Sequence, residues 1–377
     1  MAYGKIKADT IVLDNSGTDT DVSVSDIANK ADTASPAFTG TPTAPTAAAG
    51  TNTTQIATTA FVEAAAGNKL IEEGSTYRVQ FIAIGGGGAG GYDDSGWSGG
   101  GGGAGGLAYH DGFMVTDGDD YTVTIGGGAN GPTSDSQMGG YSSSQAPNGG
   151  DTTITGTGMA VTAYGGGGGA GHNGAYVAGR AGGCGGGGAA TGQTLPQADS
   201  KARGANGGTS ALGFDGGNGA TAATDSGDGT YASGGGGGTG GTPLDRRALG
   251  GEGTSGFHEW LAATTTGELV SSIRYIGAGG GGGSYGGSTN PAGGNGGAGD
   301  GGNNTGSSGG DATDGTGSGG GGRGAYNQGS GRGGNGGDGI VIFRYPDNKG
   351  QKASGGTVSQ SGGWYYHVFT SGGTFTA

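Results

Sequence analysis

The chain has 377 residues, of which 107 are glycine, and only 30% are hydrophobic even with alanine counted. That composition excludes a conventional large apolar core, while a net charge of −14 is too thinly spread to hold the chain expanded. Irregular glycine spacing with 9 prolines excludes collagen, and 16 basic residues leave no basic face for nucleic acid. No apolar stretch reaches the ~20 residues of a membrane span. The single Cys184 excludes a disulfide framework. The opening MAYGKIKADTIVLDN lacks the apolar region of a secretory leader, which predicts synthesis in a cytosol.

Residues 1–33 contain ordinary alternating segments, with Ile6, then Ile11 and Leu13, then Val22, Val24 and Ile27. They predict short strands around the Asp14-Asn15-Ser16-Gly17 turn. Residues 34–73 begin with an extended Thr/Pro/Ala linker, because each X-Pro step favours β or polyproline geometry. A short helix follows, with Asn52 as N-cap, Gln55 three residues on, and Ile56, Ala60 and Ala64 on one face. So short a helix needs partners.

From residue 74 the pattern changes. Strands are predicted at 77–84, 107–115, 121–125, 159–164, 269–277, 339–345 and 364–369 from β-branched and aromatic content. Between them lie nearly pure glycine runs at 85–88, 99–103, 165–169, 185–188, 234–238, 279–283 and 319–322. One reading of such runs is flexible linker. The other is a packed array of polyglycine II helices. These have three residues per turn and no internal hydrogen bonds, so their peptide groups face outward and bond neighbouring helices. Ordering each residue costs about 1–2 kcal/mol of backbone entropy, and a hydrogen bond returns on the order of 1 kcal/mol. An array therefore needs a β framework to align it. The recurrence of the runs between strands favours the array. The expected fold is mainly β with packed polyglycine II helices.

The residues that carry a family resemblance are now in view. SPAFTGTPTAPTAAAGTNTTQIATTAFVEAAA (35–66) resembles the repeat of tailed-phage tail fibres, and MAYGKIKADTIVLDNSG resembles the start of virion proteins of marine phages, including cyanophages. FIAIGGGGAGG, AVTAYGGGGGAG and GGNGGDGIVIFRYP resemble the glycine-rich distal domain of phage tail fibres and some surface proteins. The resemblance implies an elongated homotrimeric fibre. Residues 1–33 would attach it to other tail or baseplate proteins of the virion. Residues 34–73 would join the subunits through the helix carrying Ile56, Ala60 and Ala64. Residues 74–377 would form a head that meets a host surface glycan or outer-membrane protein. In related domains a segment like WYYHVFTSGGTFTA precedes the first strand, whereas here it ends the chain at 364–377. That departure implies a circularly permuted closure, with a C-terminal hairpin over 356–377 packed onto strand 77–84.

Few motifs point to catalysis. No phosphate-binding loop is present, and His258-Glu259 begins a zincin-like pair in which Ala262 stands at the second His position. GGNGGDGIV (333–341) matches one copy of a calcium-binding nonapeptide, a motif that binds in tandem. His110 and His367 fall within predicted strands and read as structural, and Cys184 reads as a small buried thiol. Asp117-Gly118-Asp119-Asp120 lies between two strands and reads as a solvated turn; Asp93-Asp94 sits in a glycine-flanked loop and suits a ligand contact. No enzyme, cofactor or metal is expected. Recognition suits the polar breaks between glycine runs, where aromatic faces sit beside Asn, Asp and Arg. The candidates are Tyr92, Trp97, His172, Tyr176, Tyr285, Tyr326 and Arg323, with capping of the glycine array as the alternative role for each aromatic. A non-binding spacer or decoration protein and a glycan-cleaving tailspike are the alternative functions.

Overall fold

A computed structural model describes residues 10–14, 19–23, 76–93, 96–138, 145–171, 178–189, 223–224, 231–241, 248–285, 289–303, 305–325, 331–348 and 350–377. The chain divides into two compact units, Met1–Ala66 and Gly67–Ala377. In the first, β1 (Thr10–Asp14) and β2 (Asp19–Ser23) pair antiparallel with Thr10 opposite Ser23. They contain Ile11, Leu13 and Val22 of the predicted alternation. Ile6, Val24 and Ile27 lie outside the described residues, as do the Thr/Pro/Ala linker and the helix with Ile56, Ala60 and Ala64.

The second unit is mainly β. In chain order it holds β3 (Thr76–Ile84), β4 (Leu107–Thr116), β5 (Asp120–Thr124), β6 (Thr152–Gly156) and β7 (Met159–Ala163). The two-residue strands β8 (Ala223–Thr224) and β9 (Tyr231–Ala232) follow, then helix α1 (His258–Thr264), β10 (Glu268–Val270), β11 (Ile273–Tyr275) and β12 (Ser284–Tyr285). The chain closes with β13 (Ile340–Pro346), β14 (Thr357–Ser361), β15 (Trp364–Phe369) and β16 (Gly373–Thr376).

A five-stranded antiparallel sheet has the order β14-β15-β13-β3-β4, and a four-stranded one the order β16-β5-β6-β7. Alternation along β3 decides what each face buries. Tyr77, Val79, Phe81 and Ala83 join Val341, Phe343 and Tyr345 in one cluster with Val123, Ile154, Val161 and Phe375 of the smaller sheet. Phe343 stacks on Phe375 with ring centroids 4.3 Å apart. On the opposite face, Ile82, Ile84, Ile340, Ile342 and Tyr366 pack against Trp260 and Leu261 of α1. Because β13 is covered on both sides, its IVIF segment is a continuous apolar run rather than an alternating one.

Three expectations are corrected. The segment 269–277 is a hairpin of β10 and β11, not one strand; Ser271 and Ser272 turn it with φ of 49° and 71°. Such a turn is usually marked by Asn or Gly, and neither stands there. The C-terminal hairpin β14–β15 pairs with β13, and β13 stands between it and β3. Closure is therefore onto 340–346 and not directly onto 77–84. The last strand, β16, leaves that hairpin and pairs with β5 in the other sheet.

The glycine runs carry on directly from the strands. β3 passes into 85–91, whose N–H groups donate in a three-residue rhythm. Gly85, Gly88 and Gly91 bond the carbonyls of Gly106, Gly103 and Gly100; Gly86 and Ala89 bond Gly150 and Pro147; Gly87 and Gly90 bond Gly337 and Gly334. The run 99–106 repeats the rhythm toward three further segments, since Gly100, Gly103 and Gly106 bond Ala170, Gly167 and Tyr164. Contact is backbone on backbone: a Cβ built on Gly90 would overlap the carbonyl of Gly321.

Candidate ligand cleft

Tyr92 and Arg323 were expected on exposed loops. The structure brings them together but inside, with Tyr92 8% and Arg323 1% exposed. The guanidinium lies over the Tyr92 ring, 4.9 Å from its centroid, and donates to the carbonyl of Asp93. Tyr92 also packs with Ala89, Ala129, Met138 and Ala146. An array without side chains leaves gaps along its margin, and here an aromatic ring and a long arginine fill them. Both residues are thus corrected from surface contact to scaffold. Trp97 is half-buried. Tyr285 lies in β12 opposite Tyr231, with its side chain outside the described residues. His172, Tyr176 and Tyr326 lie outside them too.

The acidic candidates divide in the same way. Asp117 and Gly118 form the turn between β4 and β5, whereas Asp93 is fully buried and Asp94 lies outside the described residues. In the nonapeptide-like segment, the side chains of Asn335 and Asp338 accept the N–H groups of Gly131 and Gly128 at 2.7 and 2.8 Å. Those oxygens staple one glycine run to another. Among the described residues no group of three or more His, Cys, Asp or Glu is arranged to hold a metal ion. Cys184 is buried. His110 accepts the Gly112 N–H through Nδ1, and buried His367 donates Nδ1–H to the Gly355 carbonyl at 2.8 Å, both as structural histidines in strands.

A cleft of about 600 Å³ opens where α1 crosses the larger sheet, lined by Tyr109, Phe257, His258, Glu259, Trp260 and Arg344 beside the exposed Ser255-Gly256 turn. Its construction starts with an irregularity in β4. The β3–β4 register shifts between Val79 and Phe81, so that Asp111 and Gly112 stand opposite the single residue Gln80. There the Gln80 amide donates to the Asp111 carbonyl at 3.1 Å, and its oxygen accepts Nε–H of Arg344 at 2.7 Å. The guanidinium also packs over the rings of Trp260 and Trp364, 4.1 Å from each centroid. Two stacking rings and one hydrogen bond therefore fix Arg344, and its terminal N–H edge remains for the cleft.

The other walls are set as firmly. The Tyr109 ring meets Phe257 at 5.2 Å and Trp260 at 6.3 Å. His258 accepts the Arg274 N–H through Nδ1 at 3.0 Å, so a neutral imidazole carries its proton on Nε2. Glu259 is exposed. Sequence reasoning missed this site because its lining comes from three separated segments, at 109, 255–260 and 344. The one local signal, HEWLAAT, reads as an amphipathic turn once a zincin is excluded.

Antiparallel sheets that carry hydrogen-bonded glycine runs define a glycine-rich β protein. Residues 67–346 match the glycine-rich domain family, so the chain belongs to that family. No curated protein gives a match.

Proposed function

We propose that the chain is a phage tail-fibre protein that binds a host surface receptor through its glycine-rich unit, attaches to the virion through residues 1–33, and works as a homotrimer. One observation carries this reading: N–H groups three residues apart along a glycine run donate to the same neighbouring run. That rhythm supports polyglycine II packing, whose pitch is three residues. A block built from backbone gives rigid support to polar loops at its margin, and loops on a rigid scaffold suit recognition. The tail-fibre-like repeat at 35–66 supports placing the block on a virion, and three subunits on several fibres gain avidity from weak sites.

Immunogold labelling of virions made from the same genome tests the placement, with label on fibre tips expected. Competition by purified full-length chain tests the binding. Label on the capsid, or undiminished adsorption at saturating chain, overturns the reading in favour of a structural virion protein. The burial of Tyr92 and Arg323 favours that second reading, because two candidate contacts serve the scaffold.

A further inference from the structure

We infer that the cleft between α1 and the larger sheet binds a carboxylated sugar, a uronate residue of a polysaccharide. Arg344 is the fixed cation of this cleft. Its Nε bonds Gln80, and it makes no ion pair with any described residue. A half-buried arginine without an acidic partner, with Trp260 and Trp364 on its guanidinium, presents its N–H edge. That edge matches a carboxylate in fork geometry.

The rest of the lining decides which carboxylate. The Tyr109 hydroxyl has no partner among the described residues, and Nε2–H of His258 adds a donor. Glu259 adds an acceptor that repels a second negative charge. One fixed cation, two neutral donors and one carboxylate therefore select a single negative charge carried among hydroxyl groups. Phosphate brings too much charge for Glu259, and an acidic peptide brings no hydroxyls for it. The Tyr109 ring supplies a face for a sugar ring, and a volume of about 600 Å³ accepts one or two such rings. The inference rests on the cleft alone and holds whether or not the chain belongs to a fibre.

Two of the three tryptophans, Trp260 and Trp364, flank Arg344, so intrinsic fluorescence of the full chain reports occupancy. Titration with a glucuronate–galactose disaccharide, which carries one carboxylate, is expected to change it saturably, while a neutral galactose disaccharide, a peptide with a single glutamate and inorganic phosphate leave it unchanged. Tyr109→Phe and Arg344→Lys should each weaken uronate binding by about tenfold, the loss expected for a hydrogen bond to a charged group. Tyr109→Phe keeps the ring and hence the fold, so its result stands if Arg344→Lys unfolds. No saturable uronate response, equal binding of the neutral sugar, the peptide or phosphate, or wild-type affinity in folded Tyr109→Phe overturns the inference.

Discussion

Phe343 and Gly90 are both buried in the second unit, yet their surroundings have little in common. Phe343 meets the rings of Phe81, Phe369 and Phe375. Gly90 donates its N–H to Gly334 and lies against the backbone of Gly321. In the sandwich, apolar area removed from water supplies the stability. In the array, hydrogen bonds supply it, and each returns less than the entropy of the residue it orders. The two regions meet in the covalent chain, because the runs 85–91, 99–106, 164–170 and 333–339 continue from or lead into β3, β4, β7 and β13. Strands set the register of the glycine runs. On these magnitudes the array is the region expected to depend on its neighbour.

The largest expected effect follows from the C-terminus. The family match ends at residue 346, but Phe369 and Phe375 complete the sandwich core. Deleting 347–377 removes β14, β15 and β16, and each lost Phe alone costs about 3–5 kcal/mol, against a typical total of about 5–15 kcal/mol. Thermal unfolding by circular dichroism should lose its cooperative transition. A truncated chain that still melts cooperatively would show that the array does not need the sandwich.

A smaller effect separates side-chain from backbone packing. Gly90→Ala places a methyl group against a carbonyl that has no rotamer to swing away, an overpacking cost of about 1–3 kcal/mol. Gly241→Ala meets nothing within 4 Å and should leave the melting temperature unchanged. Equal loss from both would mean that glycine is needed for flexibility and not for close approach.

Smaller again are the carboxylate staples. The Glu268 side chain accepts the N–H groups of Gly296 and Gly297 at 2.6 and 2.8 Å, and Asp151 accepts that of Gly165 at 2.8 Å. The acidic composition thus has a structural use, closing N–H groups that no neighbouring run reaches. Glu268→Ala is expected to cost about 1–2 kcal/mol in denaturant unfolding, and Glu259→Ala, an exposed acid outside the array, close to nothing.

Strands were legible where β-branched or aromatic residues clustered, as in β3, β13 and β15. The hairpin at Ser271-Ser272 was not, because its turn geometry is imposed by the flanking pairs and not by turn-forming residues. β6 was hidden for a related reason. Its TTITG has one large apolar side chain, and pairing with β5 and β7 on both sides makes it a strand. Glycine run positions could be read, but which run bonds which could not, since runs of one residue type carry no side-chain code. The cleft depends on Gln80 and Arg344 standing opposite one another on β3 and β13, with the Asp111 carbonyl of the β4 irregularity holding the Gln80 amide, a relation that no local pattern contains.

The two regions should also differ in the pH at which they loosen. His367 lies in the sandwich between Tyr345 and Gly355; burial pushes its imidazole below the ordinary value of 6.5, and the Gly355 hydrogen bond only partly opposes this. A base depressed on folding stabilises fully above its unfolded value and loses that contribution as pH falls from 6.5 toward the folded value. Asp311 lies in the array. Burial raises its carboxyl, but the Arg332 hydrogen bond, the Asn335 N–H and the Arg332 charge outweigh that and hold it below the ordinary 3.8. Its contribution is present above 3.8 and disappears as pH falls through the lower folded value. Melting followed by tyrosine signal should therefore begin to weaken below pH 6.5, and His367→Gln should flatten that limb. Asp311→Asn should leave that limb intact and alter only the one below pH 4. A His367→Gln chain that keeps the full loss below pH 6.5 would move the acid-sensitive group out of the sandwich.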